Sequence, residues 1–191
     1  MKNAIILHGM PSKEEYYNSS GLNQSDSHWI SWLQRQLMLN DIYAATPEMP
    51  LSFKPDYKIW KREFERYDIT PESTLVGHSC GGGFLIRWLS ENKDVKVNKV
   101  ILVAPWINTS HEVDIDFFDF VIDPKIIDRA GSIIIFNSSN DDEVILDSVK
   151  TITNQVPGIG YKEFKGYGHF CYRDMRTQEF PELLDEIIGV R

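Results

Sequence analysis

The stretch from Thr74 to Gly83, TLVGHSCGGG, holds a serine where a serine can become a nucleophile. Gly77, His78, Ser79, Cys80 and Gly81 spell G-x-S-x-G, directly after an apolar run and directly before a helical pattern. That is the context of a nucleophile elbow, in which the hydroxyl stands on a sharp strand-to-helix turn near the positive end of the helix. A hydroxyl alone attacks poorly. It needs a base to take its proton, and the base needs an acid to fix its tautomer. In this architecture the partners follow in the order serine, acid, histidine, each on a loop after a later strand. IIIFNSSNDDEV puts Asp141 just past one apolar run, and GYKEFKGYGHF puts His169 past a weaker one. Asp141, first after the turn SSN, is expected to hold the histidine, leaving Asp142 to cap the next helix.

Such a triad would make and break an acyl-enzyme, and the tetrahedral oxyanion would need preorganised N–H donors. One is expected from Cys80, immediately after the nucleophile. The second is expected from the loop after the first strand, His8-Gly9-Met10, with Met10 preferred and Gly9 next. Trp106, leaving a central run in ILVAPW, and His8 are expected to border the substrate, with Phe117, Phe118 and Phe120 beyond Trp106. His78 reads as packing and His28 as a helix-start residue. Both thiols, Cys80 and Cys171, read as reduced and non-catalytic.

These residues require elements that bring them to one edge. Short apolar runs at Ala4 to Leu7, Ile42 to Ala45, Thr74 to Val76, Val100 to Val103, Ile133 to Phe136, and weakly Gly160 to Phe164 read as strands. Four are nearly all apolar, as in a parallel sheet covered on both faces. Between them lie helical spacings: Trp29, Leu33 and Leu37 after Ser25, Asp26 and Ser27; Trp60 and Phe64 after Pro55; Phe84, Leu85, Trp88 and Leu89; Ile145, Val149, Ile152 and Val156; and Phe180 to Ile188. The alternation predicts an α/β layered domain over 1–191: a mostly parallel sheet of about six strands with helices on both faces. Two long segments, Gly9 to Ser27 and Trp106 to Asp128, are expected to be loops near the site or surface excursions.

With 191 residues, 42% apolar and 25% charged, the chain has the composition of a globular domain. Its net charge of -8 counts against binding nucleic acid or an anionic membrane. Two cysteines make no disulfide framework, and no His/Cys spacing suits zinc. The acids Asp114, Asp116 and Asp119 lack the glycine turn of a calcium loop. GGG lacks the GK[ST] ending of a phosphate loop, and no GxGxxG follows the first run. No metal or cofactor is expected. The apolar run before His8 is too short for a signal peptide, and no stretch is long enough to span a membrane, so a cytoplasmic location is expected.

Taken together, AIILHG, HWISWLQRQL, Met49-Pro50, VGHSCG, SSNDD and GHF before an acidic terminal helix resemble the retinoblastoma-binding protein 9/YdeN-like family of small serine hydrolases. The resemblance runs over nearly the whole chain. It implies an abbreviated α/β-hydrolase fold without leading antiparallel strands or a large cap domain. It also implies Ser79 as nucleophile, Asp141 as acid and His169 as base. The chain departs from the family's frequent pattern at Glu143, where proline is common, and at Cys80, where a small residue is. The expected activity is cleavage of a small-molecule ester, thioester or amide. The alternative is a protein-binding module on the same scaffold, with a protein partner instead of a substrate.

Overall fold

The computed structural model describes residues 2–111 and 116–189. Six strands, β1 (Asn3–Leu7), β2 (Tyr43–Ala45), β3 (Thr74–His78), β4 (Val97–Val103), β5 (Ala130–Ser138) and β6 (Gly160–Phe164), form one sheet in the order β2-β1-β3-β4-β5-β6. Every pairing is parallel. Helices α1 (Lys13–Tyr16), α2 (Ile30–Leu39), α3 (Tyr57–Phe64), α4 (Cys80–Glu91), α5 (Glu143–Gln155), α6 (Tyr172–Met175) and α7 (Pro181–Ile188) lie between and after them. Central strands are apolar on both sides: Ala4 to Leu7 and Val100 to Val103 are all buried. β6 is an edge strand with three exposed residues, which is why its sequence signal is weak.

Aromatic side chains lock two helical layers to the sheet. In one, Tyr57 and Trp60 of α3 and Phe84 of α4 surround Phe117, with Trp60 and Phe117 edge to face at 5.1 Å. In the other, Trp29 before α2 meets Phe180 before α7 at 5.7 Å, and Phe180 stacks on Phe170. Helix starts follow local chemistry. Asp56 caps α3 by accepting from Ile59 N–H, and Ser12 with Glu15 forms a capping box on α1. The cap-type residues before α2 do otherwise: Gln24–Asp26 form a 3-10 turn, and α2 starts at Ile30 with no side-chain cap.

Strand order reverses between β1 and β3, since the chain crosses to β2 on one side before returning to the other. Parallel sheets leave a crevice beyond the carboxyl ends at such a point. The register sets Leu7 beside Gly77, His78 beside Val103, and Ser138 beside Phe164. Loops carrying Gly9, Ser79, Asp141 and His169 therefore leave the same edge. The long segment after β4 is pinned to α4: Phe117 is buried, and Arg87 donates to the carbonyls of Asp116 and Phe117. Asp114, of the acidic run, lies outside the described residues.

Candidate active site

Ser79 joins β3 to α4 with φ 52° and ψ -119°, a strained conformation for a residue with a side chain. Three main-chain bonds hold it. Its N–H donates to Val103 O, and its own carbonyl accepts from Gly83 N–H and Trp106 N–H. A Cβ on Gly77 would stand 2.6 Å from Gly81 O, and one on Gly81 would stand 2.6 Å from His8 O. Both flanking positions therefore require glycine, which is the physical content of the G-x-S-x-G pattern.

Past β5, Asp141 turns a buried carboxylate to His169, with Nδ1 at 3.0 Å from Oδ1 and 3.1 Å from Oδ2. Asp141 Oδ1 also accepts from Asp142 N–H. Asp142 occupies the position before α5 but makes no side-chain cap, contrary to the expectation from sequence. A carboxylate accepts, so His169 Nδ1 carries the proton and Nε2 of the neutral ring keeps a lone pair. That is the tautomer of a general base. Ser79 and His169 border one cavity, although no hydrogen bond joins the hydroxyl to the ring here. Asn140, which the sequence reading passed over, ties the two loops together. Its Oδ1 accepts from Gly166 N–H, Gly168 N–H and Ser138 Oγ–H.

His8 lines the cavity beside Ser79. Its Nε2 accepts from Met49 N–H at 2.9 Å, so Nδ1 holds the proton and donates to Gly9 O at 2.7 Å. Both ring nitrogens are thus occupied within the protein, and the ring anchors the loop while bordering the cavity. Burial holds His8 below the usual histidine range, outweighing the opposing pull of the Gly9 bond and Glu48. In a trans peptide the N–H opposes the C=O, so fixing Gly9 O also fixes Met10 N–H. Among the described residues, the N–H groups of Met10 and Cys80 make no hydrogen bond to the protein. Gly9 packs against Ser79, where a Cβ would stand 3.1 Å from Ser79 Cβ.

The cavity over Ser79 measures about 630 Å³. Its outer wall is the first long loop, through Met10, Glu15, Asn18, Leu22 and His28, facing Tyr172 and Arg173. Trp106 is not part of it, which corrects the expectation from sequence. After β4 the chain turns at Ala104 (φ 46°) and runs back along α4, with Trp106 O against Gly83. The indole is 7% exposed and packs on Phe118 at 5.0 Å. Trp106 serves the site through its main chain, by holding Ser79 O. A groove of similar size between α5 and β6 contains none of these residues. Cys80 is buried, which pushes its thiol up; Cys171 borders the cavity and is pushed up to about 12 by burial and Asp174. Among the described residues no cluster of histidine, cysteine or carboxylate suits a metal ion.

A parallel sheet with this elbow at its switch point defines an α/β-hydrolase fold, and solved structures agree. The crystal structure of the ydeN gene product of Bacillus subtilis matches with a TM-score of 0.83 over 99% of this chain and 98% of that one, at 22% identity. Est1E from Butyrivibrio proteoclasticus matches at 0.66 over 98% and 88%, at 14% identity. In sequence, the YdeN protein of Bacillus subtilis (strain 168) is 28% identical over 178 residues, 88% of this chain and 86% of that one. The serine hydrolase family model matches residues 17–184. The chain belongs to the serine hydrolase family, and its activity is that of a hydrolase.

Proposed function

We propose that the protein cleaves a small ester, thioester or amide through an acyl-enzyme on Ser79, with His169 as general base and Asp141 as its orienting acid. The observation that carries this is the strained Ser79 turn facing the same cavity as a His169 ring whose Nδ1 is held by a buried carboxylate. Ser79 Oγ attacks the carbonyl carbon while His169 Nε2 takes its proton. The oxyanion rests between Cys80 N–H and Met10 N–H. As the tetrahedral intermediate collapses, the proton on Nε2 goes to the leaving group. A water then repeats the sequence and frees the acid. The mixed cavity wall suits a compact substrate carrying hydrogen-bonding groups better than a long alkyl chain.

No helix among the described residues is long and apolar enough to cross a membrane, and both cysteines are free. These features fit action in the cytoplasm, where thiols stay reduced. A fluorophosphonate probe tests the reading directly. The wild type should be labelled, and Ser79→Ala, folded by circular dichroism, should not. A folded wild type that takes no label would favour a binding module instead.

A further inference from the structure

Side chains grip the main chain around His169 at several points: Ser138 Oγ accepts from Tyr167 N–H, and Cys171 Sγ–H donates to the His169 carbonyl oxygen at 3.6 Å. Asp174 Oδ2 accepts from His169 N–H at 3.1 Å, and Asn140 holds Gly166 and Gly168. His78 is the closer of the two donors to the His169 carbonyl oxygen, its Nε2 lying 2.8 Å away. A carbonyl only accepts, so Nε2 bears the proton and Nδ1 of the neutral ring is bare. The Nδ1 side faces the first loop: a Cβ on Gly9 would stand 3.6 Å from it. Trp29 packs on the ring at 5.8 Å, His28 at 5.7 Å and His169 at 5.0 Å, and only 3% of the residue is exposed. One ring thus borders the oxyanion loop and the base loop, and it belongs to the residue preceding the nucleophile.

The geometry has a consequence for alignment. Ser79 rides on the rigid β3–α4 junction, whereas His169 sits in a loop coiled through Gly166 (φ 80°), Gly168 (φ 50°) and Phe170 (φ 56°). Such a loop has no ladder to fix its distance from the elbow. We infer that His78 is a positioning residue: its Nε2–H, through the His169 carbonyl, sets where the base stands relative to Ser79. This rests on the triad reading above. An error of about 1 Å in such an alignment costs on the order of 100-fold in rate.

The test compares wild type with His78→Phe, which keeps a ring against Trp29 but loses the donor, and His78→Gln, whose amide N–H falls near Nε2. Readouts are the rate of Ser79 labelling by a fluorophosphonate, kcat and KM on 4-nitrophenyl acetate, and the downfield proton resonance of His169 Nδ1–H. His78→Phe should lose about 10- to 100-fold in labelling and kcat with KM within about twofold, and His78→Gln should recover most of it. The Nδ1–H resonance should broaden in His78→Phe and stay sharp in wild type and His78→Gln. If His78→Phe does not fold, His78→Asn, whose amide stops one bond short, takes its place. Wild-type labelling in the donorless variant overturns the inference, as do equal losses in both variants that track melting temperature. Should wild type itself take no label, the triad reading falls separately. The resonance then decides: broadening in His78→Phe supports positioning, and an unchanged line overturns it.

Discussion

At the scale of single residues, adjacent acids have different surroundings. The Asp141 carboxylate is buried against His169, while Asp142 is exposed and holds nothing with its side chain. An amide at 141 can donate to Nδ1, driving the proton onto Nε2 and removing the lone pair that the base needs. Asp141→Asn should therefore lower kcat by about 10,000-fold, and Asp142→Asn should leave it within about twofold, measured at matched folding. The thiols yield a second expectation. Cys171 borders the cavity but ionises only at about 12, so almost none is thiolate near neutrality, and buried Cys80 is less reactive still. Iodoacetamide at pH 7.5 should leave fluorophosphonate labelling of Ser79 intact over an hour. Rapid loss of labelling would mean that a thiol in the cavity is activated.

At the scale of elements, the elbow is held by what lies behind it. Trp106 supplies a main-chain N–H to Ser79 O, and its side chain fills space against Phe118. Trp106→Ala keeps the N–H and empties the space. It should cost about 3–5 kcal/mol in denaturant unfolding while leaving the ranking of kcat/KM across acyl chain lengths unchanged. A changed ranking would return Trp106 to the substrate wall. The sequence placed this tryptophan on the correct edge but not on the correct side, because a strand end fixes where a loop starts and not where it turns. The turn is made by Ala104 at positive φ, a conformation that alanine does not advertise. Buried strands such as Val100 to Val103 were legible because burial on both faces demands unbroken apolar residues. Ser79, Asp141 and His169 were readable as candidates from their order at strand ends. The Met10–His28 wall was half legible: its length marked a loop near the site or a surface excursion, but polar residues suit water and cavity alike and so could not choose between them. Asn140 had a faint signal, an asparagine among serines opposite a loop with two glycines whose N–H groups need an acceptor.

At the scale of the whole molecule, the site concentrates histidines that folding keeps neutral. His8, His28 and His78 are all held below the usual value of 6.5, His78 farthest, by burial first and for His28 and His78 by the charge of His169 next. Below pH 6.5 the unfolded chain takes up protons that the folded chain refuses, so stability falls as pH falls. Each histidine that stays neutral contributes a slope of about 1.4 kcal/mol per pH unit, and the three together at most about 4. Acid groups act in a lower window. Burial pushes Glu186 of α7 up, but its bonds to Lys162 and Lys99 outweigh this and hold it below 4.5, so its contribution is present above that pH and lost beneath it. Net stability should thus decline in two stages on acidification, the first beginning near pH 6.5 and centred on the active site. Urea unfolding from pH 8 to pH 5 should show that first decline, with His78→Gln flattening it because glutamine has no proton to refuse. A profile level down to pH 5, or a slope untouched by His78→Gln, would mean that the buried ring is not the group that refuses the proton.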